Sequence, residues 1–105
     1  MLVSCLTDAI KFTNHYATEH LEIHTSDNKS VLARITNAGA IFLGDYSPVS
    51  LGDYMAGSSH VLPTGQQAKF GSGLGVHSFL RPQQVIDYNQ QGLAQISSMV
   101  ADFAE

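Results

Sequence analysis

Apolar residues recur along the first half of the chain in short, distinct rhythms that lay out its elements. Ile10, Thr13, Asn14 and Ala17 fall on related faces, which predicts a helix from Asp8 to Ala17 with Thr7 as its N-cap. Leu21-Glu22-Ile23 alternates apolar, acidic, apolar and suits a short strand. Ser26-Asp27-Asn28 reads as a turn or cap, and Lys29 to Thr36 as a short helix turning Val31, Leu32 and Ile35 inward. Ala40-Ile41-Phe42-Leu43 is a continuous apolar run between glycines, and predicts a strand covered on both faces, as in a parallel sheet. Ser47-Pro48 opens another helix, with serine as cap and proline in the first turn, ending near Met55 or Gly57.

The second half is less regular. Ser58 to Gly75 reads as a long glycine-rich loop, a length that in compact proteins is functional or linker-like. Val76 to Leu80 predicts a helical turn stopped by Arg81-Pro82, and Val85-Ile86 a short strand. From Asn89 to Ala104, Leu93, Ile96, Val100 and Phe103 make one apolar stripe opposite Gln, Ser and Asp, the clearest helix of the chain. The order of elements is α/β in character, with sheet content thin enough to predict a piece of a larger fold.

Composition narrows the classes. With 105 residues the chain has the size of one small domain, and at 44% hydrophobic it has the apolar content to fold. Only 13% of residues are charged, which points to a surface partly covered by another domain or subunit. The net charge is −4 and the five basic residues are scattered, so no nucleic-acid partner is expected. No apolar stretch nears the roughly twenty residues of a membrane span, and Met1 to Leu6 lacks the basic start and apolar core of a secretory leader. A single cysteine, Cys5, cannot form an internal disulfide, which fits a cytoplasmic, reducing setting. Cys5 has no patterned partner and reads as a buried or incidental thiol rather than a nucleophile.

Chemistry-bearing side chains gather in a few segments. Glu19-His20 joins two proton carriers of different acidity, or is simply a solvated pair at a helix end. Asp53, in Leu51-Gly52-Asp53-Tyr54, is an oxygen donor suited to a divalent metal, or a turn aspartate. His60 precedes Val61-Leu62-Pro63 in a loop, where it would bind a ligand or metal, or hydrogen-bond a backbone carbonyl. Asp53 and His60 match no compact zinc spacing. His15 and His77 read as structural histidines and His24 as exposed. The alternating Gly71, Gly73 and Gly75 do not follow a strand and open a helix, so they are not a dinucleotide fingerprint. No nucleophile elbow, P-loop or paired-cysteine motif is present. The residues by themselves support an α/β piece with a Glu/His and Asp/His site left open.

Three stretches carry a resemblance. Asn14-His15-Tyr16-Ala17-Thr18-Glu19-His20-Leu21-Glu22, Asn37-Ala38-Gly39-Ala40-Ile41-Phe42-Leu43-Gly44, and Leu51 through Gly65 resemble histidinol dehydrogenase, with Ser72-Gly73-Leu74-Gly75-Val76 and Phe79-Leu80 continuing the match. The similarity runs from about Thr7 to the end of the chain and corresponds to the C-terminal quarter of a longer enzyme. It implies the end of an incomplete Rossmann-like catalytic domain over 1–80. Over 81–105 it implies the start of a small C-terminal helical dimerisation domain. It also implies a cytoplasmic homodimer with shared active sites, which oxidises L-histidinol to L-histidine through an aldehyde with two NAD molecules and a zinc ion.

By the same resemblance, Glu19 is the catalytic glutamate that activates the water attacking the aldehyde, and His20 the catalytic base that also touches substrate. An imidazole base suits alcohol oxidation at neutral pH. Asp53 is a zinc ligand at the substrate, and His60 contacts substrate. The other zinc ligands, a substrate-binding glutamate and the NAD site fall on no residue of this chain. Glu105 leads toward one of those segments and takes no role. The 105 residues alone are therefore expected to be inactive. Two other readings stand beside this one. One is a related alcohol dehydrogenase with a different substrate. The other is a non-catalytic interaction or dimerisation module, compatible with Met1 opening a short chain.

Overall fold

The computed structural model describes residues 2–104, so Met1 and Glu105 lie outside the described residues. Helix α1 spans Leu6–Tyr16 and strand β1 His20–Ile23, followed by α2 (Asn28–Leu32), β2 (Ala40–Leu43) and α3 (Val49–Tyr54). Two 3₁₀ turns, Gln67–Lys69 and Val76–Phe79, precede helix α4, Gln90–Ala104. The two strands pair in parallel, with His20 opposite Ala40 and Ile23 opposite Leu43. The fold is thus a β–α–β crossover with α1 leading in and α3 leading out, a mixed helix and strand architecture with a small parallel sheet.

Strand alternation sorts the side chains onto two faces. Leu21, Ile23, Ile41 and Leu43 face one side, where Ile10 of α1, Ile23 and Val31 of α2 form the buried centre and Leu21, Ile35, Ile41 and Leu43 pack around it. On the opposite side Phe42 meets α3 at Gly52. Between β2 and α3 runs an open groove of about 490 Å³, lined in part by Phe42, Leu51 and Leu62. All four β2 residues are half-buried. The expected cover on both faces is therefore incomplete, because among the described residues β2 has no strand on its outer side and the groove leaves its α3 side open.

Several element ends differ from the sequence reading. Helix α1 starts at Leu6 behind Cys5, whose extended backbone (φ −152°) caps it without a side-chain bond. The Thr7 hydroxyl, expected to cap, instead accepts a hydrogen bond from Arg34 Nη2 at 3.3 Å. Cys5 is exposed. Helix α2 stops at Leu32 rather than Thr36: Arg34 and Ile35 bond back three residues, to Val31 and Leu32, and the Thr36 N–H is captured by Asn14 Oδ1 at 2.8 Å. Asp27 caps α2 by accepting from the Ser30 N–H at 3.0 Å. Pro48, not Ser47, is the cap residue of α3, in the extended conformation its ring favours (φ −68°, ψ 153°). Val85 and Ile86 form no strand and are more than four-fifths exposed, since among the described residues no strand lies beside them to pair with.

The join between α1 and β1 is tightly built. Buried Ala17 takes the left-handed conformation (φ 53°) and its N–H bonds to Thr13 O at 2.9 Å, so the helix ends abruptly and the chain turns into β1. Gly39 N–H donates to Thr18 O and Ala40 N–H to Glu19 O, at 2.9 and 2.8 Å. A Cβ on Gly39 would stand 2.6 Å from the Glu19 carbonyl oxygen and 3.2 Å from Pro63 Cδ. Neither neighbour is a flexible side-chain end. Gly39→Ala is accordingly expected to lower stability by about 1–3 kcal/mol, read as an earlier urea midpoint.

Away from this centre the chain spreads out. Its radius of gyration is 21.6 Å, against roughly 13 Å for a compact domain of this length. Tyr46, Phe70 and Phe103 are more than nine-tenths exposed. Helix α4 keeps its apolar stripe, with Leu93 and Val100 each 55% exposed. Among the described residues no helix is long and apolar enough to cross a membrane.

Candidate active site

Glu19 and His20 stand where the chain leaves the Ala17 turn and enters β1. Thr18 Oγ1 closes the corner by donating to the His20 carbonyl at 3.0 Å. Asp53 comes from the last turn of α3, and His60 from the segment after it. These four side chains, named from separate stretches of sequence, line one cavity of about 350 Å³, together with Tyr54. His20 is the hub. Its Nδ1 lies 4.0 Å from Glu19 Oε1 and its Nε2 3.8 Å from Asp53 Oδ1. Both separations exceed hydrogen-bond length. His20 Nε2 is buried and has no hydrogen-bond partner among the described residues. An unpaired buried nitrogen carries a cost of about 1–3 kcal/mol, which a ligand accepting or donating at that atom would offset.

The remaining histidines lie elsewhere. His15, near the C-terminal end of α1, and His77, in the second 3₁₀ turn, are exposed. His24 is about half-exposed beyond the far end of β1, with Nδ1 3.1 Å from Asp45 Oδ1 and Nε2 3.9 Å from Glu22 Oε2. Tyr54 and Phe42 escaped the sequence reading as site residues. Tyr54 was legible in principle, since it adjoins Asp53 in the same short motif. Phe42 lies in an apolar run that reads as strand core, yet its ring stacks on His20 with centroids 6.1 Å apart and planes 22° apart.

The donor set limits the metal chemistry of these residues. Among the described residues no group of three His, Cys, Asp or Glu side chains is placed to hold a metal ion. The Asp53 carboxylate beside an unpartnered imidazole nitrogen fits one corner of a zinc site, and zinc needs about four ligands.

Fold and cavity together define a class: an α/β enzyme segment with an acid–imidazole–acid cluster at the entrance of a parallel strand. The model of the histidinol dehydrogenase family matches residues 1–105. The chain is 58% identical over 100 residues to histidinol dehydrogenase of Leifsonia xyli subsp. xyli, covering 95% of this chain and 23% of that protein. It is 54% identical over 104 residues to the Bifidobacterium longum enzyme, covering 99% and 22%. A crystal structure of histidinol dehydrogenase from Elizabethkingia anophelis superposes with a TM-score of 0.89 at 32% identity, over 98% of this chain and 24% of that one. The chain belongs to the histidinol dehydrogenase family, oxidoreductases of histidine biosynthesis, and spans about a quarter of the length of these relatives.

Proposed function

We propose that this chain supplies the proton-transfer groups and one metal donor of an NAD-dependent histidinol dehydrogenase. The observation that carries the reading is the convergence of Glu19, His20, Asp53 and His60 on one cavity, with His20 Nε2 buried and unpaired. His20 takes the hydroxyl proton of L-histidinol in its oxidation to the aldehyde, for which NAD, when bound by the enzyme, would be the hydride acceptor. Glu19 takes a proton from the water that adds to the aldehyde, and oxidation of the hydrate, for which a second NAD would be the acceptor, yields L-histidine. His60 contacts the substrate, whose imidazole is an aromatic partner of matching size. Asp53 is the residue that would hold zinc here, completed by ligands from other segments of the enzyme; zinc, when bound, positions the substrate. NAD binding falls to no residue named here.

The wider setting follows the family resemblance. Residues 1–80 form the end of a Rossmann-like domain, and residues 81–105 open a helical dimerisation domain. The low surface charge and the exposed stripe of α4 support a homodimer with shared active sites, in the cytoplasm. The test is a chimera in which this chain replaces the matching quarter of the Leifsonia xyli enzyme. NADH formation from L-histidinol is expected. A folded, zinc-loaded chimera that oxidises a different alcohol in preference, or none, would reject the reading. In that chimera Asp53→Ala should weaken zinc binding by about 100-fold, measured by competition with a chelator.

A further inference from the structure

We propose that Phe42 is a positioning residue for His20, its ring holding the imidazole plane toward Asp53, and that Gly52 is the residue that lets the ring occupy that place. The inference rests on the reading of His20 as the base. Parallel pairing sets His20 opposite Ala40 and Glu22 opposite Phe42, so His20 and Phe42 share a face of the sheet two residues apart in register. The two rings lie 22° from coplanar at 6.1 Å between centroids, within the range of an offset aromatic pair.

On its far side the same ring bears on α3. A Cβ at Gly52 would sit 2.5 Å from Phe42 Cε1 and 2.7 Å from Cζ, so a side chain here would displace the ring. Gly52 immediately precedes Asp53. The phenyl ring therefore touches both partners: it stacks on the imidazole of β1 and packs on the helix whose carboxylate Oδ1 stands 3.8 Å from Nε2. Among the described residues no hydrogen bond fixes the imidazole. Nε2 has no hydrogen bond among the described residues and Glu19 Oε1 is 4.0 Å from Nδ1. What remains is packing against a flat surface, and a base held about 1 Å out of place costs on the order of 100-fold in rate.

The experiment compares Phe42→Leu, Phe42→Tyr and Ile41→Ala. Ile41 lies on the same strand but faces the α1–α2 side, so its truncation costs stability without touching the site. In the chimera, Phe42→Leu is expected to lower kcat about 10- to 100-fold with KM for L-histidinol within about threefold. Phe42→Tyr keeps the ring but adds a hydroxyl on Cζ, the atom against Gly52, and should retain more kcat than Phe42→Leu. Ile41→Ala should lower the melting temperature and leave kcat unchanged. Equal kcat in Phe42→Leu and parent, or an equal loss in Ile41→Ala, would overturn the proposal. A second arm uses the 105-residue chain with isotope-labelled histidine. The His20 ring signal should show NOE contact with Phe42 and a ring-current shift that vanishes in Phe42→Leu and survives in Ile41→Ala. An unchanged His20 signal in Phe42→Leu rejects the inference even if the parent chimera is inactive. In that case the functional reading fails separately.

Discussion

Purified by itself and supplied with zinc, NAD and L-histidinol, the 105-residue chain is expected to form no NADH above the uncatalysed background. The physical reason is donor count. On the proposed reading one carboxylate, Asp53, is offered to the metal, and among the described residues no three metal-binding side chains converge. A single oxygen donor leaves zinc mostly to water, whereas a bound site takes about four ligands. The cavity around His20 is also open, with the His20, Asp53 and Glu19 side chains between 31% and 40% exposed, so water screens the charges that would steer the reaction. Sustained NADH production, scaling with chain concentration and removed by a chelator, would show that these residues suffice.

In the chimera, His20→Asn is expected to reduce L-histidinol oxidation by about 10²- to 10⁴-fold while zinc is still taken up. Asparagine keeps the approximate size of the imidazole and its capacity to hydrogen-bond, but it cannot accept the hydroxyl proton. The loss should fall on kcat, because proton removal belongs to the transition state more than to binding. Zinc content measured on the same preparation separates a lost base from a lost metal site. A kcat within about threefold of the parent would remove His20 from the chemistry and leave it as a wall of the cavity.

The strands and the last helix were legible because their signals are local. Ala40 to Leu43 is the strand that its apolar run predicts, and α4 runs over the stripe of Leu93, Ile96, Val100 and Phe103. The caps were less legible, because each depends on what a distant residue does. Thr7 is engaged by Arg34, and Thr36 is taken by Asn14, more than twenty residues away in each case. Asn14 also donates to Arg34 O and accepts from Asn37 Nδ2 through its carbonyl, so one side chain and one backbone group tie the end of α1 to the loop before β2. Nothing in the spacing of Asn14 announces that. Val85-Ile86 has strand-forming residues without a strand to pair with, and propensity without a partner does not make a sheet.

The site was visible only in part. Glu19-His20, Asp53 and His60 are each unremarkable in isolation, and it was the long match to a family that gathered them. Their meeting in space has a simple origin: the β–α–β crossover returns β2 beside β1, and α3 then folds back over the face that carries His20. Phe42 could not be read this way. Its part depends on which residue lies diagonally across the sheet and on a glycine ten positions later.

The two-stranded sheet has a practical consequence. Both of its strands are edge strands among the described residues, and β2 adjoins an apolar groove. Exposed edges of this kind template adhesion between molecules, the hazard that protein folds suppress by adding strands, charges or cover. Handling these 105 residues therefore calls for dilution or a solubilising fusion, and early turbidity on concentration is the expected sign of edge-to-edge pairing.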